Sequence, residues 1–148
     1  MDALRGNYAA KIDDKGRLKI PTAFRLLIEK EHGADVFLTS LTGQYVRLYP
    51  MSVWNGIEEK LKKVGSTNPS RLKFLERVNY FGQASQIDSQ GRVVIHARLR
   101  DLAAMSGEVD VLGQVDMLDI WNRDRLALKI QNEPFDESDA RALSDFGI

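Results

Sequence analysis

One phrase occurs twice in this chain, 75 residues apart, and no other feature of the 148 residues limits the fold so strongly. The first copy reads Ile12-Asp13-Asp14-Lys15-Gly16-Arg17-Leu18-Lys19-Ile20-Pro21 and runs on to Phe24-Arg25. The second reads Ile87-Asp88-Ser89-Gln90-Gly91-Arg92-Val93-Val94-Ile95-His96 and runs on to Leu99-Arg100. Between 10–25 and 85–100 six positions are identical, and apolar character persists where identity fails, Leu18 with Val93 and Phe24 with Leu99. Similar stretches follow each copy. Val36-Phe37-Leu38 corresponds to Val109-Asp110-Val111-Leu112, and Val46-Arg47-Leu48-Tyr49 to Leu118-Asp119-Ile120-Trp121. Solenoids and propellers repeat roughly every 20–50 residues. A period of 75 residues therefore reads as a duplicated half-domain.

Within each copy the pattern predicts a strand, a tight turn and a second strand. Residues 7–12 and 17–20 alternate apolar with polar, as half-buried strands do. In the turn between them Asp13 can bond forward to the backbone and Gly16 supplies a positive φ. Pro21 ends the strand, and a short helix is expected over 22–31 with Thr22 as N-cap, stopping near Gly33. Strands follow at 36–39 and 45–49. Residues 51–64 place Trp54, Ile57, Leu61 and Val64 on one helical face. The opposite face is charged, with Glu58–Lys62 and Glu59–Lys63 pairs expected at spacing four. Asn68-Pro69 is a ready start for another helix, with Leu72, Leu75 and Val78 expected on its apolar side. The second copy then repeats the first, a short helix is expected over 123–129, and the segment beyond Pro134 is expected to be frayed or partly helical. Neither copy alone can bury its sheet faces. The expected fold is thus mainly β with helices, an α+β chain whose halves interlock about a pseudo-twofold β core.

The chain is one domain in size, with the 43% hydrophobic and 28% charged content of a soluble globular protein. No apolar run of membrane-spanning length is present, and the start lacks a secretory signal, so a cytoplasmic protein with no membrane partner is expected. With no cysteine and two histidines, neither a disulfide framework nor a zinc site is expected, and no cofactor is assigned. The formal net charge is zero, but the charges are segregated. Residues 1–30 carry seven basic and four acidic side chains, residues 58–77 six basic and three acidic, and residues 133–148 one basic and five acidic. Local basic zones of this kind leave nucleic acid open as a partner.

The two Asp-x-x-Gly-Arg turns, each followed by an apolar strand and an Arg-terminated helix, resemble those of the MraZ family. The likeness extends through Arg5-Gly6, Leu48-Tyr49-Pro50 leading to Trp54, Asn68-Pro69, and Leu112-Gly113-Gln114 leading to Ile120-Trp121. The resemblance implies two SpoVT/AbrB-type swapped-hairpin halves forming a pseudo-twofold β-barrel, at 5–50 and 82–130. A helical pair at 51–81 joins them and an acidic tail occupies 131–148. It also implies a sequence-specific transcriptional regulator of the bacterial division and cell-wall gene cluster. Such a protein is expected to be nucleoid-associated, a ring larger than a dimer, bound to short G-rich direct repeats of double-stranded DNA upstream of its own operon. The family's paired Asp and Arg fall on Asp13 with Arg17 and on Asp88 with Arg92. The second copy departs from the pattern in His96, where the first has Pro21, and in Ser89-Gln90, where the first has Asp14-Lys15.

Each of these residues has a structural alternative. Arg17 and Arg92 suit DNA because a planar guanidinium can bind guanine O6 and N7, or two phosphate oxygens, bidentately; the alternative is an internal bridge to Asp13 or Asp88. Both hold if Asp orients the Arg fork. Lys15 at the turn tip is a phosphate candidate and Lys19 a weaker one. Arg25 and Arg100 divide between ion-pairing within the fold and contact with phosphate or a neighbouring subunit. Gly16 and Gly91 serve turn geometry, and Tyr49, Trp54 and Trp121 belong to the core. Two duplicated Asp residues could suggest a catalytic dyad, but a guanidinium beside each keeps it ionised and unfit to share a proton. No phosphate loop or nucleophile constellation accompanies them, so no enzyme and no small-molecule substrate are expected. The alternative function is an antitoxin-like adaptor that binds both DNA and a protein.

Overall fold

The computed structural model describes residues 2–148, and among them eight strands and six helices. The first copy of the phrase forms the hairpin β1 (Asn7–Ile12) and β2 (Arg17–Lys19), followed by α1 (Thr22–His32), β3 (Asp35–Thr39) and β4 (Val46–Pro50). Two helices, α2 (Met51–Leu61) and α3 (Pro69–Tyr80), lead into the second run. That run repeats the first as β5 (Gln83–Gln86), β6 (Arg92–Val94), α4 (Ala97–Leu102), β7 (Gly107–Gly113) and β8 (Leu118–Asn122). α5 (Arg123–Asn132) and α6 (Glu137–Ser144) come last.

The strands form one antiparallel sheet in the order β5-β3-β4-β8-β7-β1-β2-β6. Its two ends meet at the second hairpin, where the Asp88 N–H donates to the Arg92 carbonyl at 2.9 Å, and the sheet becomes a nearly closed barrel. The halves interlock. β1 pairs with β7 of the second half, β5 with β3 of the first, β2 with β6, and β4 with β8. Exchanging each strand for its duplicate returns the same order, so a pseudo-twofold axis crosses the barrel. It passes between Leu18 and Val93 in the β2–β6 register and between Arg47 and Asp119 in the β4–β8 register. A single half would leave open strand edges and an uncovered apolar face.

Inside the barrel the alternating residues Leu18, Val93, Val46, Leu48, Leu118 and Ile120 are buried, and α1 and α4 cap the interior with Phe24, Ile28 and Leu99. Outside it, α2 and α3 cover β3 and β4 through Trp54, which stacks on Phe37 and on Phe74 at 4.7 and 6.3 Å. Tyr49 and Trp121 are buried as well.

The structure corrects three local expectations. The residue at the N-cap of α1 is Pro21, and Thr22 is the first residue of the helix. α3 packs through Val78, which is buried, and Phe74, which is half-buried like Leu75, while Leu72 is exposed. Lys62 pairs with Glu59 at spacing three, 2.8 Å apart, and the two expected spacing-four pairs do not form. The apolar face of α2 is used within the chain, since Trp54 is buried and Met51, Val53 and Ile57 pack beside it. The start of α3 matches expectation: the Asn68 side chain accepts hydrogen bonds from Ser70 and Arg71 N–H, with Pro69 in the first turn. The segment after Pro134 is helical, as α6.

Candidate nucleic-acid interface

Each repeated turn is built around its aspartate. The Gly16 N–H donates to the Asp13 carbonyl at 3.0 Å, closing the turn, and Gly16 takes φ +82°. Asp13 Oδ1 accepts from the N–H groups of Lys15 and Arg17 at 3.0 and 2.8 Å, and Oδ2 accepts from Arg17 Nε at 2.7 Å. The second turn reproduces this: Asp88 Oδ1 accepts from the Gln90 and Arg92 N–H groups at 2.8 and 2.9 Å, and Oδ2 from Arg92 Nε at 3.2 Å. One carboxylate thus shapes the backbone and aims the guanidinium. The Arg17 N–H, then its side chain, hold the Asp13 carboxyl below its ordinary pKa, and the Arg92 N–H leads the same effect at Asp88. Because Asp takes only Nε, the terminal nitrogens of Arg17 and Arg92 make no hydrogen bond among the described residues. That edge of a guanidinium is the one that reads guanine or grips phosphate.

Arg25 and Arg100 lie within α1 and α4 and do not end them; both reach across between the halves. Arg25, on α1, pairs with Glu29 at 2.6 Å and donates through Nη2 to the Ser89 carbonyl of the second turn at 3.1 Å. A Cβ on Gly91 would lie 2.8 Å from this side chain. Arg100, on α4, lies against Gly16 of the first turn and donates through Nη1 to the Ile95 carbonyl at 3.4 Å. Each helix of one half therefore braces the turn of the other, and each turn glycine leaves room for an arginine as well as supplying its positive φ. His96 ties the end of β6 to the end of α3, with Nε2 2.8 Å from the Phe81 carbonyl oxygen.

The pairing of β2 with β6 brings both hairpins to one face. Leu18 and Val93 point inward; Arg17, Lys19, Arg92 and Val94 point outward. The register sets Lys19 directly opposite Arg92, and Arg17 opposite Val94. Like charges directly opposite one another weaken a ribbon, yet this pair is kept, and Lys15 stands exposed at the adjoining turn tip. Lys15 and Lys19 make no ion pair among the described residues. The Lys19–Arg92 neighbourhood could not be read from either copy alone, because it depends on a strand pairing 75 residues apart in sequence. The exposed Val94 was missed for the same reason. Among the described residues no group of His, Cys, Asp and Glu is placed to hold a metal ion, and no helix is long and apolar enough to cross a membrane.

Comparison with known proteins adds a family. The one described as "MraZ protein, putative antitoxin-like" matches residues 3–77 and 81–146, one block for each copy of the repeat. The chain is similar to the transcriptional regulator MraZ of Koribacter versatilis, 44% identical over 97% of this chain and 99% of that protein. It is also similar to the proteins of the same name from Acidobacterium capsulatum, 38% identical over the same shares, and from Nitrosomonas europaea, 34% identical over 85% of each chain. With both repeats matched and relatives aligned almost end to end, this chain belongs to the MraZ family of transcriptional regulators.

Proposed function

We propose that this regulator binds double-stranded DNA sequence-specifically through the outward face of β2 and β6, as a closed homo-oligomer larger than a dimer. Its targets are short G-rich direct repeats upstream of its own operon, in the division and cell-wall gene cluster, and it works in the cytoplasm on the nucleoid. Arg17 and Arg92 contact bases or phosphates with their terminal nitrogens, held in aim by Asp13 and Asp88; Lys15 and Lys19 add phosphate contacts. Arg25 and Arg100 act on the turns they brace, and Gly16 and Gly91 keep those turns in shape. The observation that carries the reading is the pair of carboxylate-aimed guanidinium groups with free outer edges on one cationic ribbon. A β-ribbon of this width fits the major groove.

The test is a gel shift on the chain's own upstream region. Arg17→Ala is expected to cost roughly 1–3 kcal/mol per engaged site, a loss multiplied when several subunits bind together. Arg17→Lys is expected to fail as well, since ammonium cannot replace a bidentate fork. The fold survives, because so exposed a pair, screened by water, contributes little to stability. An Arg17→Ala protein that binds as tightly as wild type refutes the assignment.

A further inference from the structure

Two charged segments take no part in the β2–β6 face, and they are opposite in sign. The α2–α3 arm, residues 58–77, carries six basic and three acidic side chains. Lys60, Lys63 and Lys73 are exposed and make no ion pair among the described residues. Apolar groups sit among these cations: Val64 and Leu72 are 36% and 49% exposed. The C-terminal segment, residues 133–148, carries five acidic side chains and one basic. Its largest apolar residues, Phe135, Phe146 and Ile148, are more than 70% exposed.

α6 is anomalous as a free-standing helix. Its eight residues are begun by a full capping box between Asp136 and Asp139, yet none of them is buried. Helices shorter than about 12 residues are marginal in water unless an apolar face packs on something. Between α6 and the end of α5 lies an open cleft of about 540 Å³, lined by Ile130, Glu133, Phe135, Asp139, Ala142 and Leu143. No arm residue lines that cleft, and the hydrogen bonds of residues 133–148 stay within residues 129–148.

We propose that the acidic C-terminal segment of one copy docks on the basic α2–α3 arm of a second copy, with its phenylalanines against Val64 and Leu72 and its carboxylates against Lys60, Lys63 and Lys73. The surfaces complement each other in charge and in exposed apolar area. They are unlike surfaces of the same chain, so the contact is head-to-tail, the kind that repeats around a closed ring. The inference builds on the homo-oligomer proposed above and does not involve the DNA face.

The test is sedimentation velocity on the full chain without DNA, with circular dichroism to confirm that each variant is folded. An arm variant, Lys63→Glu with Lys73→Glu, and a tail variant, Glu137→Lys with Asp145→Lys, are each expected to weaken self-association roughly tenfold or more, several exposed pairs being reversed at once. Combining the two sets is expected to restore assembly, and Phe146→Ala to weaken it with every charge in place. Unchanged assembly in both charge variants, or a combined variant that stays dissociated, overturns the inference. So does an arm variant that keeps its mass but loses DNA binding, which would make the arm a phosphate contact. A tail that folds back on its own arm would show as unchanged mass in every variant, also overturning it. Those results leave the proposed DNA-binding function standing. A wild-type chain that is monomeric at micromolar concentration overturns the inference together with the homo-oligomer.

Discussion

Asp119→Ala is predicted to remove about 3 kcal/mol of stability, the low end of the range for stranding one partner of a buried ion pair. Asp119 faces Arg47 across the β4–β8 register, at the pole of the barrel opposite β2 and β6. Two hydrogen bonds join them, Nε to Oδ1 at 2.7 Å and Nη2 to Oδ2 at 3.1 Å. The side chains are 20% and 7% exposed, and the guanidinium lies 5.4 and 5.9 Å from the ring centres of Tyr45 and Tyr49. The hydrogen bond to Asp119 is the chief cause raising the Arg47 pKa, against the effect of burial. Removing one partner of a buried pair costs about 3–5 kcal/mol, because the other charge is stranded; the residual exposure of Arg47 places this site at the lower figure. For a domain of this size each kcal/mol shifts Tm by roughly 2–4 °C, so Tm should fall by about 6–12 °C. Arg47→Met with Asp119→Leu removes both charges and should be close to neutral or stabilising. Urea denaturation of the wild type, Asp119→Ala and the Arg47→Met, Asp119→Leu double variant measures both quantities. A loss under about 1 kcal/mol for Asp119→Ala, the range of an exposed pair, would refute the claim that the site is desolvated.

Arg92→Ala should weaken operator binding by the same factor as Arg17→Ala or a smaller one, since its turn carries Ser89-Gln90 and Lys19 remains beside it; titrations of both variants on one operator compare them. Asp13 and Asp88 have lowered folded-state pKa values, so their clamps hold above the ordinary value of 3.8 and are lost only as pH falls through the lowered one. These carboxylates should therefore leave binding unchanged between pH 8 and about pH 5, and Asp13→Asn should weaken it at neutral pH by releasing Arg17; anisotropy across that range checks both. Gly91→Ala should destabilise by about 1–3 kcal/mol in thermal melts, from the strain of a positive φ and the crowding of Arg25.

The repeat, the hairpins and the aspartate–arginine turns were legible in the sequence because each is local: Asp13 reaches its partners within four residues. What escaped was decided at long range or by helix phase. Arg25 could be named as a partner-seeking residue, yet its partner, the Ser89 carbonyl, lies 64 residues away and depends on how the halves cross. Leu72, Phe74 and Leu75 fall within one helical turn of α3, and it is the position of Trp54 that brings Phe74 into the packed cluster. The Thr22 cap failed because Pro21 occupies the capping position with no side-chain bond to offer. Arg47 and Asp119 were aligned as repeat equivalents, but equivalence gave no sign that they touch.

The unequal residues of the β2–β6 ribbon give the proposed interface a direction. Two identical hairpins about a true twofold axis would present the same groups from either end and would match an inverted sequence. Here Arg17 stands across from Val94, and Arg92 across from Lys19, so turning the chain end for end exchanges a valine for a lysine beside the reading arginine. A duplex lying on this face meets a surface with polarity. On the proposed function, each subunit would have one preferred orientation along the strand, and successive subunits arranged head-to-tail would ask for the same short word repeated in the same sense. Duplication within a single chain is what permits this, because a homodimer of half-domains cannot change one side of its ribbon without changing the other.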